Sequence, residues 1–367
     1  MRVATGFAAG DHAMPELAVS AVKDALAAAG SEYAHSMILF LSGHYARHAQ
    51  IAVTAASRAA RCLQVCGCTV PGLFTEQAWA LDQPAAAALV LCDSISLGLP
   101  RNDEARLCLA LPTKDNTVWI GDGQRRFGTL ATGGEEEETG GQVWAQSKVA
   151  DSGRIEAALH GAQMRIGVSR GIKTLTPPLE VTDSDGFEIL QLGEDTALDN
   201  LLQRLDPDIR KHETLPPQRI FAALPEPGID PQTAMNSGRY TLLPIRHVNR
   251  AERSVSLAAP LPLHSTMWWA LRDPASAEQD MSATLDGLAA EGGNEPAFTL
   301  MFSCIGRGPY FYQDKARDVS LVRERFPGLP LLGVYGAGEI APLGQPGSHP
   351  SRLISYSTVL TLVSADV

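Results

Sequence analysis

The chain has 367 residues, of which 45% are apolar and 19% charged, a balance that supports packed cores and excludes a disordered chain. Its formal net charge is −11 and no basic cluster occurs along it, so nucleic acid and anionic membrane surfaces are not expected partners. The longest apolar run, Ala85 to Cys92, is far shorter than the ~20 residues that a membrane-spanning helix needs.

The N-terminal region alternates helix and strand. Pro15 opens a stretch with apolar residues at helical spacing, and Gly30 is a typical helix end. MILFLSG, at residues 37–43, is an unbroken apolar run that is typical of a buried strand. The whole pattern predicts helices over 15–29 and 48–62, and strands over 37–43, 63–75 and 84–92.

From about residue 93 to 205 the pattern changes to short strands separated by turns. The four glutamates within 132–141 predict a mobile acidic loop; a metal-binding tract is the alternative, but consecutive carboxylates repel one another. The C-terminal region returns to the first pattern. It predicts helices over 277–290 and 315–326, and strands over 298–306, 331–340 and 355–363.

The two ends of the chain look like copies of one unit. Gly67-Cys-Thr-Val-Pro-Gly72 aligns with Gly333-Val-Tyr-Gly-Ala-Gly338 at an offset of 333 − 67 = 266, and the strand Met37–Gly43 then falls near Thr299–Gly306. This predicts an α/β fold with mixed α+β sheets, built from two related modules by internal duplication. Two unrelated α/β units that share the glycine spacing by chance are the alternative.

Several motifs lack the context that their chemistry needs. Ser169 lies in a G-x-S-x-G frame, but Pro177 and Pro178 follow too soon for the helix of a nucleophile elbow. Gly336-x-Gly338-x-x-Ala341 imitates a dinucleotide fingerprint but runs into a loop instead of a helix. No second Cys or His pair completes a zinc set with Cys66 and Cys68. We therefore expect no catalytic serine, no metal and no cofactor.

The cysteines and the N-terminus indicate the compartment. The six cysteines lie mostly within apolar runs, as buried free thiols do in a reducing environment. The first residues lack the charged and apolar regions of a signal peptide. We expect a soluble, cytoplasmic protein.

The stretch Cys304-Ile-Gly306-Arg307-Gly308-Pro309 is the most informative one for function. An arginine between two glycines at the end of a strand presents a bidentate cation where a ligand can approach the backbone. A glycine-rich turn with the arginine in a structural ion pair is an equally simple interpretation.

The C-terminal third resembles the FIST family of sensory domains, in which N-type and C-type modules are paired. The likeness is carried by C-x-G-R-G within Phe302–Gly308 and by G-x-Y-x-x-G-E-I within Leu332–Ile340. The segments Pro178–Gly186 and Leu192–Leu198 are similar to the family's junction, and Gly67–Gly72 is similar to its N-module loop. The resemblance implies an N-type module over 1–205 and a C-type module over 206–367.

The chain departs from the family pattern at two places. Leu73 stands where the N-module loop continues with Glu, and Glu194-Asp195-Thr196 stands where the junction has Gly-x-Pro. The first departure leaves Glu339 as the expected anchor of a ligand.

The resemblance implies signal transduction through binding of a small molecule, with amino acids or related carboxylates as the expected ligands. No output domain fits in the chain, so we expect a separate signalling partner or a free-standing binding protein. Open α/β sheets bind ligands at the carboxyl ends of their strands. The expected ligand-binding residues are Arg307, Glu339, Cys304, Gly306, Gly308, Tyr335, Gly338, Thr69 and Ser42.

Within this site we expect Arg307 to hold a ligand carboxylate and Glu339 to hold its ammonium group, unless the two side chains pair with each other. We expect no enzyme. The alternative is a cysteine-dependent enzyme with Cys304 as nucleophile and Arg307 in the same cleft, for which His44 or His349 could supply the base. An interaction scaffold with an empty cleft is a third possibility.

Overall fold

A computed structural model describes residues 1–101, 104–133, 140–210, 216, 218–313, 315–343 and 351–366. They form two compact units, Met1–Ser169 with Met281–Val367, and Arg170–Asp280. The boundary expected between residues 205 and 206 falls inside the second unit, because strands on either side of it pair in one sheet. Most of the expected acidic loop, residues 134–139, lies outside the described residues.

The four predicted helices are present in the structure. The helix expected over 15–29 has Pro15 at its first turn and ends at Gly30, whose φ of +60° and N–H bond to Ala27 O form a left-handed C-cap. The helices of the described residues are α1 Pro15–Ala29, α2 Ala49–Ala60, α3 Lys114–Ile120, α4 Ala197–Arg204, α5 Pro207–Arg210, α6 Pro231–Ser237, α7 Pro274–Ala290 and α8 Arg317–Arg325. The predicted ones are α1, α2, α7 and α8, and the shorter helices α3 to α6 were not predicted.

Strands make up the rest of the regular structure. Those of the first half are β1 Val3–Ala9, β2 Ser36–Ser42, β3 Val65–Val70, β4 Gly72–Thr75, β5 Trp79–Leu81, β6 Ala85–Leu91, β7 Ser96–Gly98, β8 Arg106–Ala110, β9 Arg126–Leu130, β10 Val143–Ala145, β11 Lys148–Val149, β12 Arg154–His160 and β13 Ala162–Ser169. Those that follow are β14 Ile172–Thr174, β15 Leu179–Asp185, β16 Glu188–Leu192, β17 Asp195–Thr196, β18 Ile220–Pro225, β19 Tyr240–Asn249, β20 Ser254–Leu257, β21 Thr266–Arg272, β22 Pro296–Cys304, β23 Leu331–Gly336, β24 Glu339–Pro342, β25 Ser351–Ile354 and β26 Thr358–Ala365.

Three mixed sheets build the first unit. Two of them contain the strand orders β1-β6-β2-β3 and β13-β26-β22-β23, and the third runs β25-β24-β9-β8-β12-β7. The first is extended by β10 and β11, and the second by β4 and β5. The mixed α/β fold expected from the sequence is confirmed.

The two four-strand sets share their strand directions and their register. Met37 pairs with Val65 and with Val90, and Thr299 pairs with Leu331 and with Leu362. The offsets are therefore 299 − 37 = 262, 331 − 65 = 266 and 362 − 90 = 272.

The outer strands obey the same relation. Val3 pairs with Leu91 and Met164 with Val363, which gives 164 − 3 = 161 and again 363 − 91 = 272. The strands expected to correspond thus occupy the same position in their sheets, as a duplication requires. Common origin of the two sets stays a prediction.

The main core lies between these two sheets. Phe40 of β2 and Phe302 of β22 meet edge to face, with ring centroids 6.3 Å apart and planes at 84°, and both side chains are fully buried. They are related by the same offset, 302 − 40 = 262. The other face of the first sheet packs against α1 and α2 through a second apolar cluster that includes Val22, Val53 and Leu39.

The second unit is one antiparallel sheet whose path closes on itself. Its order is β14-β21-β15-β16-β20-β19-β18, and β18 also pairs with β21. Its interior holds buried apolar side chains, among them Trp269, Ile220 and Leu257, with α4 packed against them through Leu198 and Leu201. The chain enters this unit directly after β13 and returns to the first unit within α7.

Gly67 is expected to be indispensable for the close approach of β3 to β2. A Cβ atom at Gly67 would overlap the Leu39 carbonyl oxygen, whereas one at the exposed helical Gly287 would meet nothing within 4 Å. We expect Gly67→Ala to lower the free energy of unfolding by at least about 2 kcal/mol. Gly287→Ala, the control, should raise it by about 0.5–1 kcal/mol. Urea unfolding measures both, and equal midpoints for Gly67→Ala and the parent chain would contradict the packing.

Candidate functional site

The candidate site lies where the parallel strands β22 and β23 end. Cys304, the last residue of β22, pairs with Gly336, the last residue of β23. A 3-10 turn, Ile305–Arg307, follows Cys304 and is closed by an N–H bond from Gly308 to Ile305 O of 3.0 Å. The turn directs Arg307 back into the protein, where it is only 2% exposed.

Arg307 holds a buried hydrogen-bond network. Its Nη1 donates to Ser169 Oγ at 2.8 Å and to Ser169 O at 3.1 Å. Its Nη2 donates to Asp318 Oδ1 at 3.0 Å and to Tyr312 OH at 3.3 Å. The interpretation of Arg307 as part of an ion pair is therefore supported, with Asp318 as a partner.

Asp318 is a residue of the candidate site that the sequence analysis missed. Besides Arg307 it accepts hydrogen bonds from Tyr312 OH at 2.8 Å and from Thr358 Oγ1 at 3.1 Å, and it is 3% exposed. A signal was present: Asp318 precedes Val322 by four residues and so lies on the apolar face of α8. A carboxylate on that face needs a buried partner.

The surroundings of Arg307 keep its guanidinium protonated, and those of Tyr335 keep its phenol protonated. Burial acts to lower the pKa of Arg307, but Asp318 and Tyr312 hold that pKa above its ordinary value. Burial, together with Asp318, raises the pKa of Tyr335, which is 2% exposed and packs on Phe74 with ring centroids 4.6 Å apart. At neutral pH the site thus presents a guanidinium and a neutral Tyr335 phenol.

Glu339 lies at the same end of the sheet. It is fully buried, and its Oε2 accepts a hydrogen bond from Ser357 Oγ at 2.8 Å. Ser357 also accepts the Cys304 N–H bond of 2.9 Å, and the next residue, Thr358, binds Asp318. The start of β26 therefore lies between the Arg307 network and Glu339.

The glycines of the expected site leave little space around them. A Cβ atom at Gly338 would lie 2.9 Å from Leu353 Cδ1, and one at Gly308 would lie 3.5 Å from the Tyr335 ring. Gly306, in the 3-10 turn, is partly exposed. These residues hold the two turns close to the strand ends.

Residues 197–342 match the family model described as the FIST C domain. This segment is similar to a FIST C domain. FIST domains form a family of sensory domains. The matched segment includes Arg307, Asp318, Tyr335 and Glu339. The N-type module expected over 1–205 stays a prediction.

The curated relatives give no further indication of activity. The chain is similar to the uncharacterized proteins Mb0898c of Mycobacterium bovis and MT0897 of Mycobacterium tuberculosis, each 27% identical over 219 residues. The uncharacterized protein MT0656 of Mycobacterium tuberculosis is 26% identical over 219 residues. These matches cover 55% of this chain and 52% of each relative, so the chain spans about half the length of the curated relatives it matches.

Two expected site residues make other bonds. Thr69 Oγ1 donates to Thr132 O at 2.8 Å and accepts from Gln142 N at 2.9 Å, and Ser42 Oγ accepts from Ala85 N at 3.1 Å. In the described structure, both hydroxyls stabilise strand ends in the N-terminal half.

The N-terminal half has no matching set of charges at the equivalent positions. Arg307 corresponds to Tyr45 (307 − 262), and Glu339 of the FIST C domain corresponds to Leu73 (339 − 266). Tyr45 also ends a 3-10 turn after its strand, is 1% exposed, and donates its OH to Met14 O at 2.7 Å. Ser357 and Thr358 correspond to two alanines, 85 and 86 (357 − 272 and 358 − 272).

The nucleophile candidates are both buried. Ser169 ends β13 and is followed by β14 after two residues, so the strand-to-helix turn of a nucleophile elbow is missing. Cys304 is 6% exposed, His44 is exposed, and His349 lies outside the described residues. In the described part of the chain, no group of three or more His, Cys, Asp or Glu is placed to hold a metal ion. No helix described is long and apolar enough to cross a membrane.

Removing the Asp318 charge is expected to destabilise the FIST C domain strongly. Asp318→Asn leaves the buried Arg307 without its carboxylate, which should cost about 3–5 kcal/mol of unfolding free energy. The control is Asp286→Asn: Asp286 pairs with Arg325 at 3.0 Å, but its side chain is 72% exposed, so the loss should stay below about 1 kcal/mol. Urea unfolding of both variants measures the difference, and similar losses would refute a buried structural charge pair.

Proposed function

We propose that the chain is a sensory protein without catalytic activity, and that it binds an amino acid or a related carboxylate where β22 and β23 end. The observation that carries this proposal is the convergence of three buried charges, Arg307, Asp318 and Glu339, on the start of β26. Charged groups at the carboxyl ends of parallel strands are typical of ligand sites in α/β folds. The sensory family of the FIST C domain agrees with this role.

Glu339 is the proposed partner of the ligand's ammonium group. An ionised carboxylate can accept about four hydrogen bonds, so Glu339 can accept a donor on the ligand in addition to the bond from Ser357 or in exchange for a bond within the protein. A charge-assisted bond of this kind is about twice as strong as a neutral one.

Arg307 is the proposed partner of the ligand's carboxylate. Its Nη1 donates to two neutral acceptors, the carbonyl and hydroxyl oxygens of Ser169. A ligand carboxylate replacing them would be a charged acceptor for the same donors, and the exchange is favourable for that reason. Asp318 and Tyr312 would keep the guanidinium in place during the exchange. The signal would then pass to a separate partner protein.

A thermal-shift screen followed by calorimetry tests the binding itself. The panel contains the common amino acids, and for each binder the matching carboxylate without the amine and the matching amine without the carboxylate. A ligand at ~100 times its dissociation constant should add about 2.7 kcal/mol of stability, which raises the melting temperature by a few degrees in a chain of this size. If no member of the panel gives a shift or a heat of binding, the proposal is wrong.

Substitutions then locate the site. Glu339→Gln keeps the side-chain shape but removes the charge, and should weaken binding at least about tenfold. Arg307→Lys should also weaken it, because the planar fork is lost. Ser169→Ala removes the competing hydroxyl and should leave the affinity equal or higher. Glu324→Gln is the control, since the Glu324 side chain is 61% exposed on α8. Equal affinities for Glu339→Gln and Glu324→Gln would place the ligand elsewhere.

Thiol labelling separates this proposal from the cysteine-dependent enzyme. All six cysteines are free and buried, and burial raises the pKa of Cys66 to about 12 and that of Cys62 to about 11. Because only the thiolate reacts, native protein at pH 7 should take up no iodoacetamide, and urea-unfolded protein should be labelled at all six positions. Mass spectrometry measures both. Rapid labelling of Cys304 in native protein would instead favour the enzyme, with Cys304→Ser as the control.

A further inference from the structure

A cavity of about 220 Å³ lies beside the N-terminal sheet, at the end where β3 begins. It opens beside Val65, the first residue of β3. Ligand sites of open α/β sheets usually lie at the carboxyl ends of the strands, which for β3 is beyond Val70. The tip of the β10–β11 hairpin forms one wall, and β7 and β12 form the other. Its apolar lining residues are Val65, Cys66, Leu97, Leu99, Ala145 and Ala157.

The hairpin wall is fixed by its own structure. Gln146 and Ser147 form its two-residue turn, with φ values of +50° and +61° at the two positions. Ser147 Oγ lies within hydrogen-bond distance of Leu63 O, at 2.9 Å, and of Ser57 Oγ, at 3.0 Å, and can donate its proton to either, which holds the turn against the segment before β3. The cavity is therefore part of the folded framework.

One lining residue of the cavity, and one residue next to the lining in sequence, are strongly exposed apolar side chains. Leu63, next to the lining residue Gln64, is 75% exposed, and Leu99 is 74% exposed. These are the two highest values among the large apolar side chains that the structure describes. An apolar rim around a cavity is typical of a binding site, because covering it removes apolar surface from water.

The charge at the wall is compensated within the protein. Glu156 accepts bonds from Arg126 Nε at 2.5 Å and from Arg106 Nη1 at 3.2 Å. Arg126 also binds Asp122 at 2.6 Å, so two carboxylates and two guanidinium groups offset one another. A charged ligand would lose its hydration here without finding an opposite charge. The amides of Gln64 and Gln146 remain as lining groups that exchange hydrogen bonds with an uncharged ligand.

We propose that this cavity is a second ligand site, which binds a small uncharged molecule with an apolar ring and one hydrogen-bonding group. An apolar cavity of about 150 Å³ accepts benzene, so 220 Å³ accommodates a ring with a small substituent. This site goes beyond the proposed amino-acid site, shares no residue with it, and takes a ligand of different chemistry.

Indole is the probe, measured by calorimetry and by saturation-transfer NMR on the full chain, with benzoate and benzylammonium as charged counterparts. We expect indole to bind and both charged compounds to bind at least about tenfold more weakly, the equivalent of 1.4 kcal/mol. Ala145→Leu fills the cavity from a partly exposed position and should abolish binding. Leu99→Ser removes part of the apolar rim and should weaken binding about tenfold.

Val118→Ser is the matched control for Leu99→Ser, because Val118 is 70% exposed on α3 and is not among the residues that line the cavity. Should Ala145→Leu fail to fold, Leu99→Ser still tests the site, since its side chain is largely in water. Absence of indole binding, or equal affinities for Leu99→Ser and Val118→Ser, would overturn the proposal. Glu339→Gln should leave indole binding unchanged, so the amino-acid site and this one fail independently.

Discussion

Phe40 and Phe302 are in contact between the two equivalent sheets of the first unit. The structure of this unit depends on that packing, because each sheet covers one apolar face of the other. A sheet with an exposed apolar face is not stable alone, so two equivalent sheets that bury these faces against each other form one core. Because the two phenylalanines are related by the register offset that relates their strands, equivalent residues meet, as they do at the interface of a twofold dimer.

This arrangement explains how a whole unit can be accommodated within the second four-strand set. In the first set, β1 is joined to α1 by the short segment 10–14; in the second, the corresponding connection between β13 and α7 contains almost the entire second unit. The register of β13 against β26 is nevertheless the same as that of β1 against β6. Loop-closure entropy grows only slowly with length, so a long connection with its own core is tolerated where the strand pairing is strong.

Local patterns in the sequence predicted the longest helices and several buried strands, because the Pro15–Gly30 signals and runs such as residues 37–43 act over a few residues, whereas the short helices α3 to α6 were not predicted. The unit boundary depends instead on pairings between distant strands, for example Glu188 with Ser256, and composition carries no record of them. The same limit applies to the site. Arg307 and Glu339 stand in recognisable motifs, whereas Asp318 is brought to Arg307 by the packing of α8.

The buried charges Arg307, Asp318 and Glu339 occur at only one of the two equivalent strand ends. In the N-terminal half, Tyr45 and Leu73 occupy the positions of Arg307 and Glu339, and both are buried. The fold therefore closes this end of a sheet without an ion pair. Replacing a buried ion pair by apolar residues of similar size is often neutral or stabilising, because desolvation of the charges offsets their attraction. Stability alone does not account for three charges buried at one of two equivalent ends, whereas the proposed recognition of a charged ligand would.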